Sequence, residues 1–373
     1  MSSVSFRKEL GRVKTIVVKT GSRIFTAPGS DDRIQRLTGD LALLHHAGIR
    51  VVLVSSGAIA LGMLALGKTT RPSTIPLQQA YAALGQNRLM NRYQSFFERQ
   101  GVLIGQVLLT WDDLHSKKRY LHLRNTLFAL FDNNILPILN ENDSVGVEEI
   151  RFGTNDILSA QVAMLVQADV LVNLTDVGGL FSDNPRENPG ARHIPVVSQM
   201  SSAVQRMASD TKNDISVGGM GSKLKAAEIV ARAGIFYLIG DGFSARLIDV
   251  LNKESCATLF LPQARKMSSH HRWIAFSGNA QGSLTVDNGA VSAIAEKGKS
   301  LLPAGVKTVT GSFKPGDTVD IMTHERTLFA RGLVNYSADE CRRIAGRRTS
   351  ELLKLLGRRE FDEIVHRDNL VVL

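Results

Sequence analysis

The chain has 373 residues, 43% of them hydrophobic, and a formal net charge of +10. That length exceeds the ~250 to 300 residues at which a single hydrophobic core stops growing, so at least two domains are expected; the charge attracts anions in general and singles out none of them. The two cysteines, Cys256 and Cys341, exclude a disulfide framework and lack the C-x-x-C spacing of a metal or redox motif, which suits a reducing cytoplasm.

The opening stretch, MSSVSFRKELGRVKTIVVKTG, holds only TIVV as an apolar run, far below the ~7 to 15 residues of a secretory h-region, and predicts no leader peptide. TIVVK (15–19) reads as the first strand. SDDRIQRLTGDLALLHHAG then reads as an amphipathic helix. Ser30 is placed to cap it, Asp31 and Asp32 suit the positive end of its dipole, Ile34, Leu37, Leu41 and Leu44 form its stripe, and Gly48 stops it. VVLVSSGAIALGMLALG (51–67) is the only uncharged stretch approaching membrane length. Its polar, glycine-broken middle predicts strand, turn and helix rather than a membrane span, and the chain reads as soluble.

Four more apolar runs read as strands: VLIGQVLL (102–109), ILPIL (135–139), DVLVNL (169–174) and IFYLI (235–239). VGGMGSKLKAAEIVARAG (217–234) is a glycine-rich turn entering a helix, with Leu224, Ala227, Val230 and Ala231 at helical spacing. Strands alternating with helices, and apolar enough to be buried on both faces, predict an α/β domain whose mainly parallel sheet lies between helix layers.

The pattern changes after LPQARKMSSHHRW. From about residue 272 the runs are short and turn-punctuated (GSLTVDNGA, KTVTGSFKPGDTVDI, RTLFARGLVNY), as in a small β-rich barrel or sandwich. SADE (337–340) is a capping-box signal for a short helix there. The expected organisation is a first domain over 1–262, a linker over 263–271 and a β-rich domain over 272–373. Between 342 and 359, RRIAGRRTSELLKLLGRR carries seven basic residues against one acid, Glu351. A solvated helix face is the usual fate of such a run, and an RNA or anionic-surface contact is the sharper reading.

Ligands of open parallel sheets bind beyond the carboxyl ends of the strands. Here those ends carry Lys19-Thr20-Gly21, Ser55-Ser56-Gly57, Asn140-Glu141-Asn142-Asp143 and Thr175-Asp176, so polar, charged and glycine residues gather where that rule puts a site. Gly57 permits close backbone approach and aims helix N-terminal amides at an anion, although a plain strand-to-helix turn explains the fragment equally well. Lys19 closes an apolar strand, so its ammonium must find either water, the commoner outcome, or an anionic partner. GGMGSK is not a Walker A loop, because serine precedes lysine. Its glycines nevertheless let amides converge, Ser222 can cap, and Lys223 stands in a first helical turn where the dipole disfavours a cation unless something negative is near. Asp143 reads as a turn residue, and Asn155 or Asp156 as an N-cap.

Taken in order, VVKTGSR (17–23), VSSGAIALG (54–62), LNENDSV (139–145), FGTNDILSA (152–160), LTDVGGLF (174–181) and GGMGSKLKAA (218–227) resemble the glutamate 5-kinases of the amino acid kinase family. The remainder, with RW (272–273), GSLTVDNGA, SLLPAGVKTVTGSF and DECRRIAG, looks like the PUA domain fused to bacterial members of that family. The resemblance covers nearly the whole chain and implies an amino acid kinase fold followed by a PUA-like domain.

The activity so implied is phosphorylation of the γ-carboxylate of L-glutamate by ATP with magnesium. That reaction gives L-glutamyl 5-phosphate, the entry to proline synthesis, in a cytoplasmic homo-oligomer (dimer or tetramer). The resemblance also implies roles: Lys19 and Lys223 flank the transferring phosphoryl group and Asp156 orients both. Ser56 and Gly57 meet glutamate and phosphate, while Asp143 and Asn155 hold glutamate. Thr175, Asp176, Val217, Gly218, Gly219, Met220, Gly221 and Ser222 lie with Lys19 and Lys223 along the nucleotide. No residue is assigned as a metal ligand. Proline is expected as feedback inhibitor near the glutamate pocket, involving the loop 143–153. Four positions depart from the family's pattern. Arg23 stands where a small hydroxyl residue is usual, Thr154 where an acid often precedes ND, Asn184 where aspartate is usual, and Val217 where threonine is usual. Thr154 bears on glutamate or magnesium affinity, and Val217 removes a hydroxyl from the nucleotide side. Other carboxylate or phosphate kinases of the family, acting on N-acetylglutamate, aspartate or carbamate, and an RNA-binding protein with the kinase core as scaffold, are the weaker alternatives.

Overall fold

In the computed structural model, residues 13–146, 155–185, 187–209, 219–263, 269–276, 280–358 and 360–373 are described. The chain divides into two compact units, Met1–Lys266 and Met267–Leu373. Val217, Gly218, Thr154 and most of the 263–271 and 143–153 segments lie outside the described residues.

The first unit is built from β1 (Thr15–Thr20), α1 (Ser30–His46), β2 (Arg50–Ser55), α2 (Ala58–Ala65), α3 (Ile75–Glu98), β3 (Leu103–Leu109), β4 (Ile135–Glu141), α4 (Asn155–Leu165), β5 (Val170–Thr175), β6 (Val196–Val197), α5 (Met220–Arg232), β7 (Phe236–Asp241), α6 (Leu247–Asn252) and β8 (Ala257–Phe260). Its sheet has eight strands in the order β3-β4-β2-β1-β5-β7-β8-β6. Every pairing is parallel except that of β7 with β8. β1 is flanked by β2 on one side and β5 on the other, so the chain's two directions of sheet growth diverge at β1. The carboxyl ends beside it form the crevice where such sheets take ligands.

One face of the sheet is a continuous apolar layer in which Ile16, Val18, Leu53, Val172 and Leu238 pack with Ile34, Leu37 and Leu41 of α1, Leu89, Tyr93 and Phe97 of α3, and Leu247 and Val250 of α6. The opposite face receives α4, whose residues Leu158, Ala160, Val162, Ala163 and Leu165 are fully buried. Being buried nearly all round, α4 is a core helix rather than a surface one. β3 departs from the expectation of strands buried on both faces: it is the sheet's edge, and Leu103 is 67% exposed. An apolar run cannot report which strand ends a sheet.

Ser30 is the first helical residue of α1 and does not cap it; the N-cap is Gly29. The Ser30 hydroxyl instead accepts from Arg92 Nη2 at 2.9 Å. The stripe Ile34, Leu37 and Leu41 is buried as its spacing requires. Helices α2 and α3 touch backbone to backbone. A Cβ on Gly85 would lie 1.7 Å from the Ala58 carbonyl oxygen, and one on Gly62 would lie 2.0 Å from that of Tyr81. No side chain fits at either place, and this contact seats the N-terminus of α2 against the carboxyl end of β2.

The second unit contains α7 (Ser269–Phe276), β9 (Gly282–Val286), α8 (Asn288–Ala295), β10 (Val306–Gly311), β11 (Thr318–Met322), β12 (Leu328–Val334), α9 (Ala338–Ile344) and β13 (Val365–Val372). Its five-stranded sheet runs β10-β9-β11-β12-β13, antiparallel except between β9 and β11. Leu284, Val286, Val319, Ile321, Tyr336 and Ile344 lie in its separate core. The expected capping box is formed: the Ser337 hydroxyl accepts from the Glu340 amide, and the Glu340 carboxylate accepts from the Ser337 amide at 2.9 Å. Within the basic run, Arg342 pairs with Asp339, and Arg358 pairs with Glu340 and Glu360. Part of that positive charge is therefore answered locally.

Candidate active site

Lys19, next to last in β1, is 6% exposed, and its Nζ stands 2.6 Å from Oδ1 of Asp156. The strand-end lysine thus takes an anionic partner instead of reaching water. Lys223, in the first turn of α5, is 7% exposed and places its Nζ 3.3 Å from Oδ2 of the same carboxylate. Asp156 is wholly buried in the first turn of α4. One carboxylate therefore bridges two ammonium groups supplied by different elements.

Two further donors complete the shell of Asp156. Asn173 Nδ2 donates to Oδ1 at 2.8 Å and the Ser222 hydroxyl donates to Oδ2 at 2.5 Å. Burial works to raise the Asp156 carboxyl, but the charges of Lys19 and Lys223 and the hydrogen bonds from Lys19 and Ser222 outweigh it and hold it well below the usual carboxylate range. The Lys223 ammonium is pushed down, chiefly by burial and further by the charge of Lys19, against the opposing pull of Asp156. Two ammoniums facing one carboxylate leave a positive excess in a place nearly closed to water. An anion such as a polyphosphate answers that excess, and a bare cation does not. Among the described residues no group of three or more His, Cys, Asp or Glu is arranged to hold a metal.

Beside this cluster lies a second polar group. Gly57, the residue before α2, has φ +118°, a conformation that calls for glycine, and a Cβ there would press on Phe25 with a ring carbon 3.1 Å away. Asn155 Nδ2 donates to the Ser56 hydroxyl at 2.5 Å and approaches Asn140 Oδ1 at 3.2 Å, while Asn140 Nδ2 donates to Gln86 Oε1 at 2.9 Å. Asn155 and Asp156 are consecutive, so the first turn of α4 joins the two groups. Asp143, just past β4, is buried, and its Oδ1 has no hydrogen-bond partner among the described residues. Burial raises its carboxyl to about 7, with the positive charge of Arg71 opposing.

Thr175 ends β5, and its hydroxyl donates to Asp176 Oδ1 at 3.2 Å. Asp176 is ion-paired with Arg23, whose guanidinium carbon lies 5.7 Å from the ring centre of Phe243. The departure at position 23 thus supplies the counter-charge of Asp176. Asp176 also acts on Lys223 through its charge. Gly219 is the N-cap of α5, followed by Met220, Gly221, Ser222 and Lys223 in its first turn. Asn184 is half-buried, and its backbone N–H donates to Asp183 Oδ1 at 2.7 Å.

Two local expectations change. Ser222 does not cap α5: it lies inside the helix, and its hydroxyl is aimed at Asp156, with Gly219 O 2.8 Å away. The side chains of Asn155 and Asp156 likewise turn into the polar cluster. Asn140 stands at a strand end the sequence singles out, whereas Asn173, Tyr237, Gln86 and Tyr93 escape the reading of strand ends. Asn173 carries a usable signal, a lone amide inside the apolar run DVLVNL, since a buried polar residue is more informative than a buried apolar one. Tyr93 carries none. It is an aromatic at a buried helical position whose hydroxyl meets Ser55 Oγ at 2.9 Å beneath the strand ends.

The amino acid kinase family model matches residues 14–241, and the PUA domain model matches residues 282–356. A glutamate 5-kinase of Syntrophotalea carbinolica is 46% identical over 98% of this chain and 99% of its own. One of Moorella thermoacetica is 43% identical over the full length of both. Among solved structures, carbamate kinase from Giardia lamblia bound to AMP-PNP covers 67% of this chain and 99% of its own, with a TM-score of 0.47 at 19% identity.

Proposed function

The chain belongs to the amino acid kinase family, and from that premise we propose that it works as a glutamate 5-kinase, moving the γ-phosphoryl group of ATP onto the γ-carboxylate of L-glutamate. The observation that carries this reading is the bridging of Lys19 and Lys223 by Asp156. ATP use follows from the family. Magnesium would arrive with the nucleotide phosphates, since the cluster itself is cationic and magnesium sites in such enzymes borrow substrate oxygens.

The acceptor carboxylate is already ionised at neutral pH, so no general base is needed, and repulsion between anions is the obstacle. The residues divide accordingly. Lys19 and Lys223 lie on either side of the transferring group and neutralise its oxygens, and Asp156 fixes the spacing of the two ammoniums. Ser56, the amides following Gly57, and Asn155 seat the glutamate side chain. Asp143 takes its α-ammonium. Thr175, Asp176 and residues 217–222 line the nucleotide. The product enters proline biosynthesis, and proline inhibits by acting near the 143–153 loop. The enzyme is a cytoplasmic dimer or tetramer, with a kinase domain over 1–262 and a PUA-like domain over 272–373. No helix among the described residues is long and apolar enough to cross a membrane.

Trapping the acyl phosphate as a hydroxamate, with ATP, magnesium and each candidate acid, tests the reading. Only free L-glutamate is expected to give strong product; equal turnover of N-acetylglutamate or aspartate overturns the substrate assignment.

The buried Asp143 carboxyl adds a pH signature. With a value raised to about 7, it is protonated below that pH and cannot pair with the ammonium of glutamate; above it, it can. The expected result is that kcat/KM for glutamate rises up to tenfold per pH unit below about 7 and then levels, while Asp143→Asn flattens the profile at a low value. A wild-type profile independent of pH between 6 and 8 removes Asp143 from the glutamate site.

A further inference from the structure

We infer that Asn173, backed by Tyr237, is a positioning residue that fixes the Asp156 carboxylate and through it the aim of Lys19. The inference rests on the kinase reading above and adds to it two residues that have no part in the chemistry itself.

The geometry is specific. Asn173 lies on β5 directly opposite Lys19 of β1 in the parallel register, and Tyr237 lies opposite Leu171, two residues before Asn173. The three side chains therefore share the sheet face covered by α4. Asn173 is fully buried. Its Nδ2 donates to Asp156 Oδ1 at 2.8 Å and to the Tyr237 hydroxyl at 3.0 Å. Its Oδ1 has no partner among the described residues, so both contacts fall on the NH2 end. Turning the amide over would press a carbonyl lone pair against the carboxylate.

An ionised carboxylate offers about four acceptor positions. At Asp156 they are taken by Lys19 and Asn173 on one oxygen and by Ser222 and Lys223 on the other. Lys19, Lys223 and Ser222 belong to the face that meets an anion, and their side chains must adjust when a phosphoryl group arrives. Asn173 is the donor on the sheet side. It sits on a central strand, is closed to solvent, and has its own orientation held by a wholly buried tyrosine. It can therefore keep Oδ1 in place while Lys19 shifts its contacts towards substrate. Without it, the carboxylate is free to rotate about its terminal torsion, and Lys19 loses its reference point. A misplacement on the order of 1 Å at a reacting centre costs about a hundredfold in rate.

The test compares wild type with Asn173→Leu and Asn173→Asp, reading kcat at saturating glutamate and ATP between pH 6 and 8.5, with thermal melts to show that each is folded. Asn173→Leu, which removes the donor, is expected to lose about 10- to 100-fold in kcat with little change in KM for glutamate. Asn173→Asp keeps the shape but donates only when protonated. The groups facing the new carboxyl are Asp156 on α4, Lys19 on β1, Lys223 on α5 and Tyr237 on β7. Burial and the Asp156 charge favour its neutral form, and the two lysines oppose them. Its kcat is therefore expected to rise as pH falls, a slope that a residue serving only to pack β5 would not produce. Folded Asn173→Asp with the wild-type pH profile overturns the inference, as does folded Asn173→Leu with wild-type kcat. Should Asn173→Leu fail to fold, the pH slope of Asn173→Asp decides alone. A wild-type enzyme inactive on glutamate strikes at the kinase reading instead.

Discussion

Lys19→Ala and Lys223→Ala are each expected to lower kcat for hydroxamate formation by about a thousandfold, with the fold intact. One ammonium about 4 Å from a phosphoryl oxygen is worth about 4 kcal/mol at an effective dielectric near 20, and about 4 kcal/mol of transition-state stabilisation is about three powers of ten in rate. KM for glutamate should change far less, because the glutamate contacts are assigned to Ser56, Asn155 and Asp143. The double variant should lose less than the product of the single losses, since both lysines share Asp156 and act as a unit. Each single variant leaves Asp156 paired with the remaining lysine, so melting temperatures should move by only a few degrees. Retention of kcat within tenfold by either variant would remove that lysine from the chemistry.

Asp156→Asn is expected to damage both rate and stability. The substitution leaves two buried ammoniums facing a neutral amide, and breaking a buried ion pair in that way costs about 3 to 5 kcal/mol, a fall on the order of 10 °C in melting temperature for a unit of this size. Lys223, already pushed down by burial, loses the charge that sustains its ammonium. The variant should therefore give up more than a thousandfold in kcat, recovering in part as pH falls and the lysine reprotonates.

The wild-type carboxyl is depressed when folded. Its stabilising effect is thus complete above the unfolded value of about 3.9 and is lost as pH falls below that towards the folded value. Asp156→Asn lacks this acid-sensitive part, so the stability gap between the two proteins should narrow below about pH 4. Unchanged melting together with unchanged kcat would show that Asp156 organises nothing.

Much of the first unit is legible in the chain because its signals are local. TIVVK, ILPIL and DVLVNL became β1, β4 and β5 to within two residues, since an apolar run bounded by polar residues and glycine specifies a buried strand whatever its neighbours. The stripe of α1 and the capping box at Ser337 are equally local. Ser30 and Ser222 went differently because a hydroxyl near a helix start has more than one use, and tertiary partners, Arg92 and Asp156, offered better ones than the helix's own amides.

The sequence by itself determined the α/β alternation, the change of pattern towards the β-rich second part, and the crowding of lysine, aspartate, serine and glycine at the carboxyl ends of strands. Periodicity and element ends are properties of contiguous residues. Only the tertiary structure decided which of those residues face one another: Asp156 between Lys19 and Lys223, Asn173 behind it with Tyr237, and Arg23 against Asp176. Those meetings depend on the strand order β2-β1-β5-β7 and on the way α4 and α5 approach it. Strand order is set by packing among segments far apart in the chain, and no local spacing encodes it.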